Sequence, residues 1–143
     1  MNNRYIFKGK RKDNGEWVEG FLSKSRGENK QLELCIDHEE KGVMCSSIVI
    51  PETVGQCTGL KDKNGKLIFE GDIVESRASE NKEDWKRWVV QFTDGSFCFE
   101  REIPRKRKYK YEQNLLGIDN IELYGLTVIG NVYDNPELLE AER

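Results

Sequence analysis

The stretch that most constrains the fold runs from Gln56 to Val74, QCTGLKDKNGKLIFEGDIV, which reads as one complete β-hairpin. Asn64-Gly65 is a dipeptide that tolerates the positive φ angles of a tight hairpin turn. The apolar run Leu67-Ile68-Phe69 then enters a strand, which Glu70-Gly71-Asp72 interrupts before Ile73-Val74. Each glycine of the stretch, together with Asn64 and Asp72, has a sufficient explanation in turn geometry and strand entry. The hairpin is therefore read as scaffold rather than as a site.

The rest of the chain repeats this logic. Arg4 to Lys10 and Trp17 to Leu22 flank Asp13-Asn14-Gly15, a second hairpin signal. Gly9, Asn14, Gly15, Glu19 and Gly20 align with Gly59, Asn64, Gly65, Glu70 and Gly71, with one residue added before the last pair in the second copy. Because Asn-Gly turns recur in any hairpin, the match is read as convergence rather than duplication. Ser23 to Lys30 reads as a polar loop, Leu32, Leu34 and Ile36 as a half-buried strand, and Asp37 to Gly42 as a turn. Val43 to Ile50 is a further strand, stopped by Pro51. Glu75 to Asp84 reads as a long mobile loop. Trp88, Val90 and Phe92 alternate before Thr93-Asp94-Gly95 turns the chain into Ser96 to Glu100, where Phe97 and Phe99 share a face. Glu112 to Leu116 suggests one helical turn ended by Gly117, and Leu126 to Tyr133 a final strand. A short helix follows, with Asn135 as N-cap and Pro136 at its first position.

Composition agrees with a β-rich chain. Only Ala78 and Ala141 represent the best helix former, while β-branched and aromatic residues abound. With 143 residues, 36% hydrophobic and 34% charged, the chain can build one economical core. The natural division is a β-rich N-terminal part, residues 1–50, and a C-terminal part, residues 51–143. A net charge of -3 gives the molecule no overall attraction to nucleic acid or anionic membranes, so any such binding is local. Cys35, Cys45, Cys57 and Cys98 form no C-x-x-C pair, and His38 is the single histidine, so neither a metal nor another cofactor is expected. With no apolar leader in MNNRYIFKGK, the cysteines are expected to stay reduced in strands of a cytosolic protein. No apolar run has the length of a membrane span.

Two surfaces stand out as binding candidates. From Arg101 to Tyr111 six cations face one acid, with Tyr109 and Tyr111 interleaved. Arg101, Arg105, Lys106, Arg107 and Lys108 suit a phosphate backbone, and tyrosine rings can stack on unpaired bases. The same residues would equally serve as a solvated loop or a charge-protected sheet edge. Trp85 and Trp88 flank Lys86-Arg87; in an extended chain they point to opposite faces, and Trp88, in phase with Val90, belongs to the core. Trp85 is then the candidate partner anchor. Catalytic spacing is weak: Glu70 and Asp72 share a strand face, and Asp37, Glu39 and Glu40 surround His38, without a pocket signature to tune either set. No G-x-S-x-G, phosphate-cradling glycine loop or H-E-x-x-H occurs.

Thr53 to Gly65, TVGQCTGLKDKNG, continuing through Phe69-Glu70-Gly71-Asp72-Ile73-Val74, closely resembles the YopX family of phage and prophage proteins. Val128 to Leu139, VIGNVYDNPELL, resembles it too, as does the N-terminal strand that begins at Arg4 and includes Lys8, leading to Trp17-Val18, so the likeness covers nearly the whole chain. Cys57 departs from the pattern, where an aromatic is more usual. The resemblance implies a mainly β protein of phage or prophage origin: an N-terminal hairpin or sheet region, an SH3-like small β-barrel in the C-terminal half, and a short C-terminal helix. The family has no established activity, so it supplies no catalytic residues. The resulting expectation is a non-catalytic accessory protein in the bacterial cytoplasm that binds another protein or a second copy of itself. The alternative is a single-stranded nucleic-acid-binding module using residues 101–111, with an enzyme a distant third.

Overall fold

The computed structural model describes residues 3–102, 109–115, 121 and 124–140, with side chains for all of these except 101, 102 and 109–115. It is mainly β, as the residue pattern predicts, and divides into two compact units, Met1–Cys57 and Thr58–Arg143.

The first unit is built from β1 (Phe7–Lys10), β2 (Trp17–Arg26), β3 (Leu32–Glu40) and β4 (Val43–Ile48), adjacent in that order and antiparallel. Where the sequence suggests a loop from Ser23 to Lys30, β2 continues to Arg26. Its last four residues pair with β3, so cross-strand partners override the polar composition. The turn proposed for Asp37 to Gly42 shrinks in the same way. Asp37–Glu40 belongs to β3, and only Lys41-Gly42 turns, with both residues at positive φ (51° and 80°) as a two-residue hairpin of this hand requires. Beyond β4 the chain curls back to β1: Arg11 bridges Val49, the Lys12 N–H donates to the Ile48 carbonyl, and the Ile50 N–H donates to the Lys10 carbonyl. These bonds close the strands of this unit on themselves. Cys35, Ile36, Val49 and Cys57 are its fully buried apolar residues.

β5 (Gly55–Lys61) begins in the first unit, pairing with β1 at Gly55 and Gln56, and ends in the second beside β6 (Leu67–Phe69). The second unit also holds a sheet in the order β10-β9-β8-β7-β11, formed by β7 (Asp72–Ser76), β8 (Arg87–Thr93), β9 (Ser96–Glu102), β10 (Tyr109–Leu115) and β11 (Leu126–Asn131). Among the described residues this sheet is open, so barrel closure in the C-terminal half is not among its pairings. Glu112 to Leu115 belongs to β10 opposite β9, not to a helical turn. The short helix α1 follows Pro136 at Glu137–Glu140. Ile68, Val74, Trp88, Val90, Phe99, Ile121 and Leu126 form the core, with Leu60 and Val128 against it. The alternation through β8 ends early: Phe92 is half exposed beside the tight Asp94-Gly95 turn and meets Phe97 edge-to-face at 5.0 Å. All four cysteines lie in strands as free thiols, three buried and Cys45 partly so.

Candidate functional site

The residues that mark the chain most strongly are consumed by its own backbone. Asp62 is buried at the start of the Lys63-Asn64-Gly65 turn, and its Oδ1 accepts the N–H groups of Asn64 and Lys66 at 2.8 and 2.9 Å. Its Oδ2 accepts the Val128 N–H at 2.9 Å, tying the turn to β11, and the Lys63 N–H donates to the Leu126 carbonyl beside it. Gly65 alone takes a positive φ in this turn, so an Asx-type carboxylate rather than a two-residue turn sets its shape. Asp72, 1% exposed, accepts the Phe69 N–H at 2.8 Å.

Gly71, at φ +89°, donates to the Val90 carbonyl and accepts from the Val132 N–H. A Cβ there would lie 3.2 Å from the Tyr133 ring. The Tyr133 hydroxyl is pushed above its ordinary pKa by burial and by the Glu70 carboxylate. Asn135 accepts the Asn131 N–H through its side chain, and the Asn131 side chain accepts from Tyr133 and Asp134. The hairpin and the Val128–Leu139 ending thus form one interlocked joint.

A second polar centre lies on β7. Glu75, 5% exposed, accepts from Arg77 at 2.8 Å and Arg87 at 2.7 Å, and Arg87 also donates to the Leu138 carbonyl at 2.6 Å. Burial raises the Glu75 pKa, but the two guanidinium hydrogen bonds outweigh it and hold the carboxyl below its ordinary value. This cluster fastens α1 to the sheet.

Trp85 is half-buried and engaged by its own loop. Its indole N–H donates to the Ser79 carbonyl at 2.8 Å, and the Arg77 guanidinium lies 5.1 Å and the Lys82 ammonium 5.8 Å from its ring. The Asn81 side chain accepts the Glu83 N–H, shaping the turn that leads to Trp85. The residues between β7 and β8 are organised about this ring. In the basic segment, Arg101 lies in β9 opposite Lys110, and Tyr109 and Tyr111 in β10 lie opposite Glu102 and Glu100. Arg105, Lys106, Arg107 and Lys108 lie outside the described residues.

A cleft of about 530 Å³ in the first unit is lined by Arg11, Lys12, Asp13, Glu33 and Ser47 among others. Four of its charges are matched internally, Arg11 to Asp13 at 2.9 Å and Lys12 to Glu33 at 2.8 Å. Ser47, 8% exposed, meets His38 Nε2 at 2.8 Å, a serine and histidine pair that the sequence reading did not bring together. The signal is the β3–β4 register: Ile36 faces Ser47, so His38, two residues on, shares its side of the sheet. Among the described residues no carboxylate orients the ring, so the pair lacks the third member of a nucleophilic triad.

The second unit holds a cavity of about 420 Å³ walled by Trp88, Phe99 and Leu126, with Ser76, Asp84, Lys86 and Tyr124 also lining it. Trp88 Nε1 is buried without a hydrogen-bond partner among the described residues. No group of three or more His, Cys, Asp or Glu side chains placed to hold a metal occurs among them either. No helix among them is long and apolar enough to cross a membrane.

The family described as YopX protein matches residues 6–140. A curated relative, the SPbeta prophage-derived uncharacterized protein YopX of Bacillus subtilis (strain 168), is 34% identical over 76 residues, 53% of this chain. The match spans about half, 52%, of that relative's length. The crystal structure of protein EF1440 from Enterococcus faecalis superposes with a TM-score of 0.56 at 25% identity, over 93% of this chain and 96% of that one. The crystal structure of protein yopX from Bacillus subtilis gives 0.53 at 23% identity, over 97% of each chain, a likeness of fold.

Proposed function

The chain belongs to the YopX protein family, and from that premise we propose that it is a non-catalytic phage or prophage accessory protein, a β-rich binding or assembly module of the bacterial cytoplasm. The observation that carries this reading is the fate of the family motifs. Asp62, Gly71, Asp72, Asn131 and Asn135 spend their polar groups or conformational freedom on backbone contacts. A motif used this way preserves a scaffold, and scaffolds of this kind act through the surfaces they display. The prophage setting rests on the origin printed in the relative's name.

The second reading is a single-stranded nucleic-acid module. Its support is the β9–β10 register, which pairs the flanks of the basic run, Arg101 with Lys110 and Glu100 with Tyr111. Cations and tyrosines would then sit at the end of one ribbon.

A pull-down from induced host cells, with and without nuclease, separates the two. A protein recovered under both conditions is the expected result. Capture lost on nuclease treatment would favour nucleic acid, and turnover of any metabolite that changing Glu70 or Asp72 abolishes would refute the non-catalytic reading.

A further inference from the structure

Before Ile48, β4 leaves one side of its backbone unused among the described residues. The Val49 N–H just beyond it donates to the Leu34 carbonyl on β3, while the Ile48 carbonyl accepts from Lys12 on the opposite side. Successive residues of a strand direct their N–H and C=O groups to alternate sides. Odd-numbered residues of β4 therefore bond to β3, and Met44 and Ser46 turn both groups outward. Both residues are exposed, and among the described residues those outward groups have no partner.

Natural sheets guard such edges with charged side chains, prolines or bulges. β4 has none of these: VMCSSI carries no charge and no proline, and its register with β3 runs without a shift. Val43 and Met44 are 62% and 64% exposed on it.

We propose that this edge pairs with the same edge of a second copy, giving a two-fold symmetric dimer in which β4 meets β4 antiparallel. Phase selects the register. Setting Met44 against Ser46 of the other copy, and Ser46 against its Met44, makes four main-chain hydrogen bonds and uses every outward group of the two residues. Setting Ser46 against Ser46 would direct the Met44 N–H at the Ile48 carbonyl, which Lys12 already occupies. Setting Met44 against Met44 would put Ser46 opposite Gly42, which lies in a turn at positive φ. Charge agrees with self-pairing. Gly42 to Ile50 is uncharged, so two copies meet neutral edge to neutral edge.

In this register the two Cys45 residues face each other as the narrow, non-hydrogen-bonded pair, with Cα atoms about 4.5 Å apart. That spacing permits a disulfide. Cys45 is the one cysteine of four that is not buried, so it reports on the interface.

The proposal names a partner for the proposed assembly role. A monomeric result would refute the self-pairing while leaving the pull-down to decide that role. Light scattering after size exclusion should show the mass rising with concentration towards twice the 16.6 kDa of the chain. Diamide, which takes up two electrons and two protons as the thiols join, should trap the dimer on a non-reducing gel, and Cys45→Ser should abolish the trapped band. Ser46→Pro removes an outward N–H and leaves the bonds to β3; Met44→Lys charges the edge without touching the backbone. Each should weaken dimerisation at least tenfold with the circular dichroism spectrum unchanged, and if the proline variant misfolds the lysine variant decides. A mass fixed at that of one chain, a dimer indifferent to Met44→Lys, or a dimer that Cys45 does not cross-link would overturn the proposal.

Discussion

Removing the Asp62 carboxylate should cost this protein a large part of its stability. Three backbone N–H groups, those of Asn64, Lys66 and Val128, converge on its two oxygens at 2.8 to 2.9 Å. Asp62→Ala removes both acceptor oxygens and leaves all three donors unpaired at once. An unpaired buried donor costs about 1–3 kcal/mol, and because these sites are part-buried, with water relieving some of the loss, the low end applies to each, for a total of about 3–4 kcal/mol. With a urea m-value of about 1–3 kcal/mol/M this lowers the midpoint by about 1–4 M, roughly a third of it for a domain stable by about 10 kcal/mol. Asp62→Asn keeps the shape and one acceptor oxygen but turns an NH₂ group towards a donor, so the loss should be smaller, about 1–2 kcal/mol. Urea unfolding followed by tryptophan fluorescence measures both, since Trp88 lies in the core of the same unit. Lys63→Ala, at an exposed turn position whose backbone bond to Leu126 survives, is the control and should stay within about 0.5 kcal/mol of the parent. An Asp62→Ala variant as stable as that control would refute the idea that the turn is built on its carboxylate.

Glu75 should govern part of the acid limb of stability. Its folded pKa lies below its unfolded one, so its contribution is present above the ordinary carboxylate range and is lost as pH falls through the lowered folded value. Glu75→Gln should flatten that limb of a stability-against-pH curve, and an unchanged limb would show that burial cancels the two arginine bonds. Gly71→Ala should destabilise by about 2 kcal/mol, because alanine resists positive φ and its Cβ would meet the Tyr133 ring. Adding Tyr133→Ala should not restore the loss, since the backbone angle remains; full restoration in thermal melts of the double variant would assign the cost to the ring instead.

The parts of the fold legible in the sequence are those where local chemistry and tertiary demand agree. Asp94-Gly95 between two alternating runs forms the expected hairpin, and Trp88, Val90 and Phe99 occupy the core that their spacing predicts. Legibility fails where pairing overrides composition. Ser23 to Arg26 and Asp37 to Glu40 are polar, yet both are strands because each has a neighbour across the ladder. Asp62 was visible as a motif residue but not as the centre of the turn. The available signal was an aspartate two residues before Asn-Gly, the Asx-turn spacing, whereas its bond to Val128 spans 66 positions and nothing local announces it. The surroundings of Trp85 were hidden for the same kind of reason: alternation along an extended chain separates its face from that of Trp88, but nothing local announces that Arg77, Lys82 and Ser79 contact the ring.

The same contrast explains why identity is easier to read here than function. A motif persists in sequence when specific side chains must satisfy specific backbone groups, as Asp62, Asp72 and Asn135 do. A sheet edge needs no particular side chain to bind, because its main-chain N–H and C=O groups do the recognising; what it requires is that charge and proline be absent. The stretch VMCSSI is therefore unremarkable as sequence, and its binding capacity emerges only when the β3 ladder shows which of its residues face outward. For a chain whose conspicuous residues are spent internally, the informative surface is the one whose composition says least.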